Sequence, residues 1–348
     1  MRIDVYKLEV GDRLIHDIFN SVGLNVLSAG TQLEAHDIEK LMMHRIDYVD
    51  IIPRSFLSGD GDEGVVLISE RNEQADAFAD AIEGIKTLFE SASVGDIVDE
   101  HVEASFIPLI SSFKQQKDVV SLLISLNSKD DYTYQHSVQV GMLSYYIAKW
   151  LGKAEEEAHY IGKAGYLHDI GKSKVPNAIL QKPDRLTDDE YEEIQRHTLY
   201  GYEIIQKSLG DEALALAALQ HHERIDGKGY PLHKTGQEIH PIAKIIAVAD
   251  VYSAMICNRV YQKKRDLIFV LKELHRLSFG ELEPQATHVF IKNMIPNFIG
   301  KKVLLNDGRN GTIVMTNHND FFRPLVQIGE IFVDLSVERQ MEIETISI

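Results

Sequence analysis

Apolar residues recur at spacings of three and four along most of the chain between about 69 and 300, and group into short runs only near its two ends. Near the start, Leu8-Glu9-Val10-Gly11-Asp12, Leu24-Asn25-Val26-Leu27 and Tyr48-Val49-Asp50-Ile51-Ile52 read as strands bounded by turn residues. Thr31 and Glu34 make a capping-box pattern before a helix whose stripe is Ile38, Leu41, Met42 and Ile46. Residues 1–54 are therefore expected to form a small α/β accessory unit, with His16, His36 and His44 on its surface. Pro53 to Gly64, rich in Ser, Gly and Asp, reads as a linker. From 69 to 125 the pattern is helical, with Ala75, Phe78, Ala79, Ile82, Ile85 and Phe89 as the apolar stripe. Such a stripe needs a partner, either the following domain or a second copy in a homodimer built on 69–125.

From 126 to 300 helix follows helix. One carries His136 in its first turn, then Val140, Leu143, Ile147 and Leu151, and stops near Gly152. The next runs from about Glu155 to Asp169, with Ile161, Ala164, Gly165 and His168 on one side and Gly171 as its stop. Thr187 and Glu190 form a second capping box, opening a helix whose Ile194, His197, Gly201, Ile204 and Ile205 share a face. A further helix ends at Gln220-His221-His222-Glu223, and another runs from Ile242 to about Asn258. Asp250 interrupts the greasy run Ile245-Ile246-Ala247-Val248-Ala249, and a buried carboxylate must be paired, protonated or bound to metal. Over 301–348 the pattern changes to strands at Lys302-Val303-Leu304-Leu305, Gly311-Thr312-Ile313-Val314-Met315 and Leu325-Val326-Gln327-Ile328, a small β appendage in which His318 and Asp320 occupy a turn. The fold class is mainly α, with short mixed and β-rich units at the ends.

Composition narrows the chemistry. The 36 basic residues against 53 acidic ones give −17, which argues against nucleic-acid polymers and anionic membranes as partners. No apolar run approaches the roughly 20 residues of a membrane span, and Met1-Arg2-Ile3-Asp4 does not open a signal peptide. Cys257 is the sole cysteine, so no internal disulfide forms; a cytoplasmic location is the expectation. The candidate chemistry lies in His168-Asp169, where an imidazole and a carboxylate stand side by side, able to hold one metal and reach a second. His136, His197, His221, His222 and Asp250 accompany it, each on or beside its own helix.

His168-Asp169 with His136 and Asp250 resembles the HD superfamily of metal-dependent phosphohydrolases, over roughly 125–300. The continuation His221-His222-Glu223-Arg224-Ile225-Asp226-Gly227-Lys228-Gly229-Tyr230-Pro231 is similar to the HD-GYP subfamily, bacterial cyclic di-GMP phosphodiesterases. The resemblance implies an all-helical phosphohydrolase domain over 126–300. It makes His136, His168, Asp169, His197, His221, His222 and Asp250 the metal ligands, with Asp169 bridging two ions and acting in catalysis. Five imidazoles and two carboxylates without thiolate suit iron or manganese better than zinc. Some family members hold a third metal through a glutamate four residues before the first histidine; Tyr132 stands there, so two divalent ions are expected.

Lys172 is expected to place its ammonium by the scissile phosphate. Gly227 and Gly229 let the loop turn tightly near the ligand, Asp226 fixes the loop, and Tyr230 contacts substrate or a partner protein. Arg259 and Tyr261 resemble the family's Arg-Pro-Tyr stretch, where the arginine pairs with phosphate or guanine. Val260 replaces that proline, and Gln262 stands where a basic residue is usual, which bears on guanine recognition more than on hydrolysis. The leading expectation is hydrolysis of cyclic di-GMP to the linear dinucleotide. The alternatives are a phosphohydrolase for cyclic GMP-AMP or a nucleotide monoester, and a receptor that binds the nucleotide without cleaving it.

Overall fold

A computed structural model describes all residues except 1, 17, 20–24, 29, 45, 47, 53–64, 115–131, 183, 258–266, 318–319 and 347–348. The chain divides into two compact units, one made of 1–70 and 295–348 and the other of 71–294. The architecture is mainly helical with small sheets toward both ends, as the apolar periodicity predicts. No described helix is long and apolar enough to cross a membrane.

In the first unit, β1 (Arg2–Asp4) pairs antiparallel with β4 (Tyr48–Asp50), and β2 (Ile18–Phe19) with β3 (Asn25–Leu27). Helix α1 (Ala35–Met43) completes a core of Val5, Leu14, Leu33, Leu41, Val49 and Ile51. The expected strand at Leu8–Asp12 is instead a turn. The Asp12 carboxylate accepts from the Glu9 amide at 2.8 Å and Gly11 has φ +103°, so the backbone curls where an extended strand would straighten. Thr31 does not cap α1; its hydroxyl donates to the Ser28 carbonyl, and Asp37 reaches back to the Glu34 amide instead.

Five strands close the chain: β5 (Lys302–Leu305), β6 (Asn310–Met315), β7 (Leu325–Ile328), β8 (Ile331–Asp334) and β9 (Ile343–Ile346). They form one antiparallel sheet in the order β8-β7-β6-β5-β9. Two of them escaped the apolar pattern because they are edge strands. In β8, Ile331 and Phe332 are exposed, so burial imposes no alternation there. Asp320 is half-buried, and His318 lies outside the described residues.

In the second unit the helical pattern expected over 69–125 is two helices, α2 (Val65–Val94) and α3 (Asp99–Phe113), parted at Gly95 with φ +93°, and 115–125 lie outside the described residues. Phe78, Ile85 and Phe89 are buried as expected; Ala79 is not, and Ala81, Leu88 and Ala92 complete the face. The site is built on α4 (Tyr132–Trp150), α5 (Glu155–Leu167), α6 (Asn177–Leu180), α7 (Asp188–Gln195), α8 (His197–Leu209), α9 (Glu212–Gln220) and α10 (Pro241–Cys257). Helices α11 (Leu267–Leu277) and α12 (Pro284–Met294) follow. Thr187 and Glu190 form their capping box at the start of α7. The expected continuous helix then breaks at Arg196. The His197 ring takes the Ile194 carbonyl and the Thr198 hydroxyl takes that of Gln195, two acceptors that an unbroken helix would use itself.

Candidate metal centre

His168, Asp169, His197 and His221 sit at helix ends, where a short change of direction turns them inward, whereas His136 and Asp250 lie within helices. His136 lies in the second turn of α4, His168 caps the C-terminus of α5, and Asp169 precedes a 3-10 turn over Ile170–Lys174. His197 opens α8, His221 caps α9, and Asp250 lies midway along α10. The 3-10 turn packs against the start of α8 because Gly171 has no side chain: a Cβ there would overlap the His197 carbonyl and the Gly201 amide. Gly171 therefore acts through close approach rather than as a helix stop.

The seven side chains converge into two donor sets, Asp169 with His197, His221 and His222, and His136 with His168 and Asp250; within each set the donor atoms lie within 4.8 Å of one another. Asp169 belongs to both by geometry. Its Oδ1 lies 3.3 Å from His197 Nε2 and 3.8 Å from His221 Nε2. Its Oδ2 lies 3.3 Å from His168 Nε2 and 3.8 Å from His136 Nε2. Asp250 Oδ1 stands 3.0 Å from His136 Nε2, and its Oδ2 lies 3.6 Å from His222 Nδ1.

Three of the imidazoles are oriented by the backbone. His168, His197 and His221 donate from Nδ1 to the carbonyls of Gly165 (2.7 Å), Ile194 (2.6 Å) and Ala218 (2.8 Å), each three residues earlier. That fixes the tautomer and leaves Nε2 with its lone pair facing the interior. His136 is held similarly: its Nδ1 meets Ser253 Oγ at 3.0 Å, and that hydroxyl donates to Gln139 Oε1 at 2.9 Å.

Among the described residues these lone pairs have no donor to satisfy them. His168 Nε2 and Asp169 Oδ1 are fully buried without a hydrogen-bond partner. The Nε2 atoms of His197 and His221 face each other at 3.3 Å, an arrangement two lone pairs cannot hold unless a cation lies between or beside them. Burial and the neighbouring histidines hold His221 well below the ordinary imidazole range. Burial does the same to His222, against the opposing pull of Asp250. Burial disfavours ionised Asp169 and Asp250, yet the surrounding imidazoles, and Lys172 for Asp169, bring both well below the usual carboxylate range. Ionised carboxylates and neutral imidazoles, as at His221 and His222, are the forms that bind divalent cations; against its burial, His168 is drawn upward by Asp169. The residues therefore fit metal ions.

Lys172 donates to Asp169 Oδ2 at 2.5 Å and remains half-buried. The loop after His222 folds back on the site. Gly229 presses against the His222–Arg224 backbone, where a Cβ would clash, and Gly227 takes φ +77°. Tyr230 is half-buried and stacks on His222, with centroids 4.6 Å apart and planes at 30°. Asp226 is engaged within the loop, accepting from the Lys228 amide and pairing with its ammonium at 2.9 Å. Arg259 and Tyr261 lie outside the described residues.

Two supporting groups had escaped notice. Glu223 is buried, and its carboxylate accepts the amides of Leu232 (2.7 Å) and Lys234 (2.9 Å), clamping the loop. Gln139 completes the His136–Ser253 relay. Its position three residues past His136 on one helix face was the available signal.

Comparison with known proteins places this geometry among relatives. The HD domain family matches residues 119–279. A Pseudomonas aeruginosa protein named cyclic di-GMP phosphodiesterase is 31% identical over 280 residues, 80% of this chain and 67% of that protein. A Vibrio cholerae protein named 3′3′-cGAMP-specific phosphodiesterase 1 is 36% identical over 203 residues, 56% of this chain and 47% of the other. A Thermotoga maritima cyclic di-GMP phosphodiesterase is 37% identical over 182 residues, 50% of this chain and 48% of the other. The chain thus spans two thirds of the first relative and about half of the other two. Among solved structures, an HDG"Y"P protein from Bdellovibrio bacteriovorus shares the fold, with TM-score 0.53 at 16% identity over 83% of this chain and 97% of that one.

Proposed function

This chain belongs to the HD-domain family, in its HD-GYP group, and from that premise we propose that it hydrolyses the 3′–5′ phosphodiester bond of cyclic di-GMP to the linear dinucleotide. The observation that carries the reading is the convergence of His136, His168, Asp169, His197, His221, His222 and Asp250 into two adjoining donor sets sharing the Asp169 carboxylate. Two divalent ions held there, iron or manganese by the nitrogen-and-oxygen donor set, supply Lewis acidity for attack of water on phosphorus. In the net step a P–O bond forms to water and the P–O3′ bond breaks, leaving a 5′-phosphate and a 3′-hydroxyl.

The protein's own groups orient that step. Backbone carbonyls behind three imidazoles hold the donors rigid, so little reorganisation is needed when substrate binds. Lys172 offers a positive charge beside Asp169, where charge grows on the phosphoryl oxygens. Tyr230 walls the site with an aromatic face over His222, and Gly229 lets the loop come that close. Arg259 and Tyr261 are the proposed contacts to the nucleotide beyond the phosphate.

The test is product analysis by chromatography. Purified protein is loaded with manganese, or with iron under anaerobic conditions, and given cyclic di-GMP beside its Asp169→Ala variant. The linear dinucleotide should appear with the parent protein and not with the variant. A second reading, cleavage of 3′3′-cGAMP, is favoured by the similarity to the Vibrio cholerae enzyme of that name. The same assay with both substrates separates the two by their kcat/KM ratio. Absence of turnover of either, with metal bound, overturns cyclic-dinucleotide hydrolysis and leaves a nucleotide monoester phosphohydrolase or a receptor.

A further inference from the structure

Helix α2 touches the chain beside three elements of the metal centre. The Ala81 carbonyl accepts from the Tyr166 hydroxyl at 2.7 Å, and Tyr166 is fully buried on α5, two residues before His168. The ring of Phe89 meets that of Tyr134 edge-on, with centroids 5.3 Å apart, two residues before His136 on α4; Lys86 lies 5.9 Å from the same ring. At the end of α2, Lys174 donates to the Ser93 carbonyl at 2.8 Å, two residues beyond Lys172. Lys207 donates to the Gly95 carbonyl at 3.0 Å, and Ser208 accepts the Ile97 amide at 3.1 Å, both from the helix that His197 opens.

The repeated offset of two has a geometric meaning. At about 100° per residue, two positions on a helix face nearly opposite ways. Tyr134 and Tyr166 thus point toward α2 while His136 and His168 point into the donor sets, and each short helical segment is sandwiched between them. The Ser93 carbonyl, in the last turn of α2, lies at the negative end of its dipole and is satisfied by Lys174, while Lys207 takes the Gly95 carbonyl just beyond the helix. Moving α2 would take from a buried tyrosine the shorter of its two hydrogen bonds, leaving the one to Ser105 Oγ at 3.2 Å, and pull on the 3-10 turn that carries Lys172.

We propose that α2 is a positioning element of the metal centre, acting through Tyr166 and Lys174, so that the placement of this helix sets the affinity of the site for metal. The inference rests on the reading of the seven side chains as ligands. Coupling is reciprocal, so metal binding must steady α2 in return.

Hydrogen exchange of the full chain, with and without saturating manganese, reads this directly. Metal is expected to slow exchange across 78–95 by about fivefold or more relative to Pro284–Met294, the lower bound of typical site-to-site coupling. In the doubly substituted Tyr166→Phe, Lys174→Met protein, that gain should fall below about twofold and the manganese dissociation constant should rise by about fivefold, in line with lost coupling. Excess manganese should then restore kcat, which a merely unfolded variant would not allow. Metal binding without added protection at 78–95, or unchanged manganese affinity in the double variant, overturns the proposal alone. Failure of the parent protein to bind manganese overturns the ligand reading, and this inference with it.

Discussion

His197 and His221 present Nε2 to Nε2 at 3.3 Å, each with its Nδ1 proton committed to a backbone carbonyl. Without a cation this contact opposes folding; with one it becomes part of the binding site. Metal-stripped protein should therefore gain stability on adding manganese, by about 2.7 kcal/mol at a free concentration one hundred times the dissociation constant. His221→Ala should lose most of that gain. Thermal melts against manganese concentration check it, and a variant that gains as much as the parent would remove His221 from the ligand set.

Lys172 lies against Asp169 Oδ2, which allows two roles: holding the carboxylate or meeting phosphate. Loss of one stabilising donor at a phosphoryl group lowers kcat by about 100-fold or more. Lys172→Met should show that fall at saturating metal with a much smaller change in KM. Full recovery of kcat by excess metal would instead confine the lysine to holding Asp169.

The Glu223 carboxylate accepts two loop amides, and an amide side chain can accept at only one oxygen while turning its NH2 toward the other donor. Glu223→Gln should destabilise the protein by about 1–3 kcal/mol, the cost of an unsatisfied buried group. Urea unfolding measures the loss, and limited proteolysis should show earlier cleavage between Asp226 and Thr235. An unchanged midpoint and cleavage pattern would deny Glu223 its clamping role.

Glu155 joins three elements, accepting from the Tyr145 hydroxyl at 2.9 Å and pairing with Lys149 and Lys114 at 3.0 Å each. Bonds from Lys149, then Lys114 and Tyr145, lower its carboxyl from 4.5 to about 2. Because the folded value is depressed, its contribution is complete above pH 4.5 and is lost as pH falls toward 2. Glu155→Gln should be less stable than the parent at neutral pH, and the difference should shrink below about pH 4.5. Urea midpoints across a pH series follow the difference; a gap that widens with acid would contradict the assignment. The group is partly exposed, so the gap will be modest.

Helix identity was legible where one face is buried, as in α8, whose His197, Thr198, Gly201, Ile204 and Ile205 are buried, because burial imposes a period of 3.6 on the residue pattern. Boundaries were less so. The break at Arg196 arises from the side chains of His197 and Thr198 competing for carbonyls, which no hydropathy pattern records. The turn at Glu9–Asp12 has the same origin in a carboxylate bonding its own backbone. Edge strands such as β8 carry little apolar signal, since water covers their side chains.

For the site, residue types and loop motif identified which side chains to gather, and the structure brings all seven together. What stayed hidden were the groups behind them. Backbone carbonyls three residues before His168, His197 and His221 have no side-chain identity to read, and Glu223 shows its function only once Leu232 and Lys234 fold back across it.

One carboxylate serving both donor sets makes Asp169 a single point of failure. A rotation about its Cα–Cβ bond would withdraw an oxygen from His197 and His221 and, in the same motion, the other oxygen from His168 and His136. Neither set can be deprived of Asp169 while its neighbour keeps it. A substitution that repositions Asp169 to suit one set therefore disturbs the other as well.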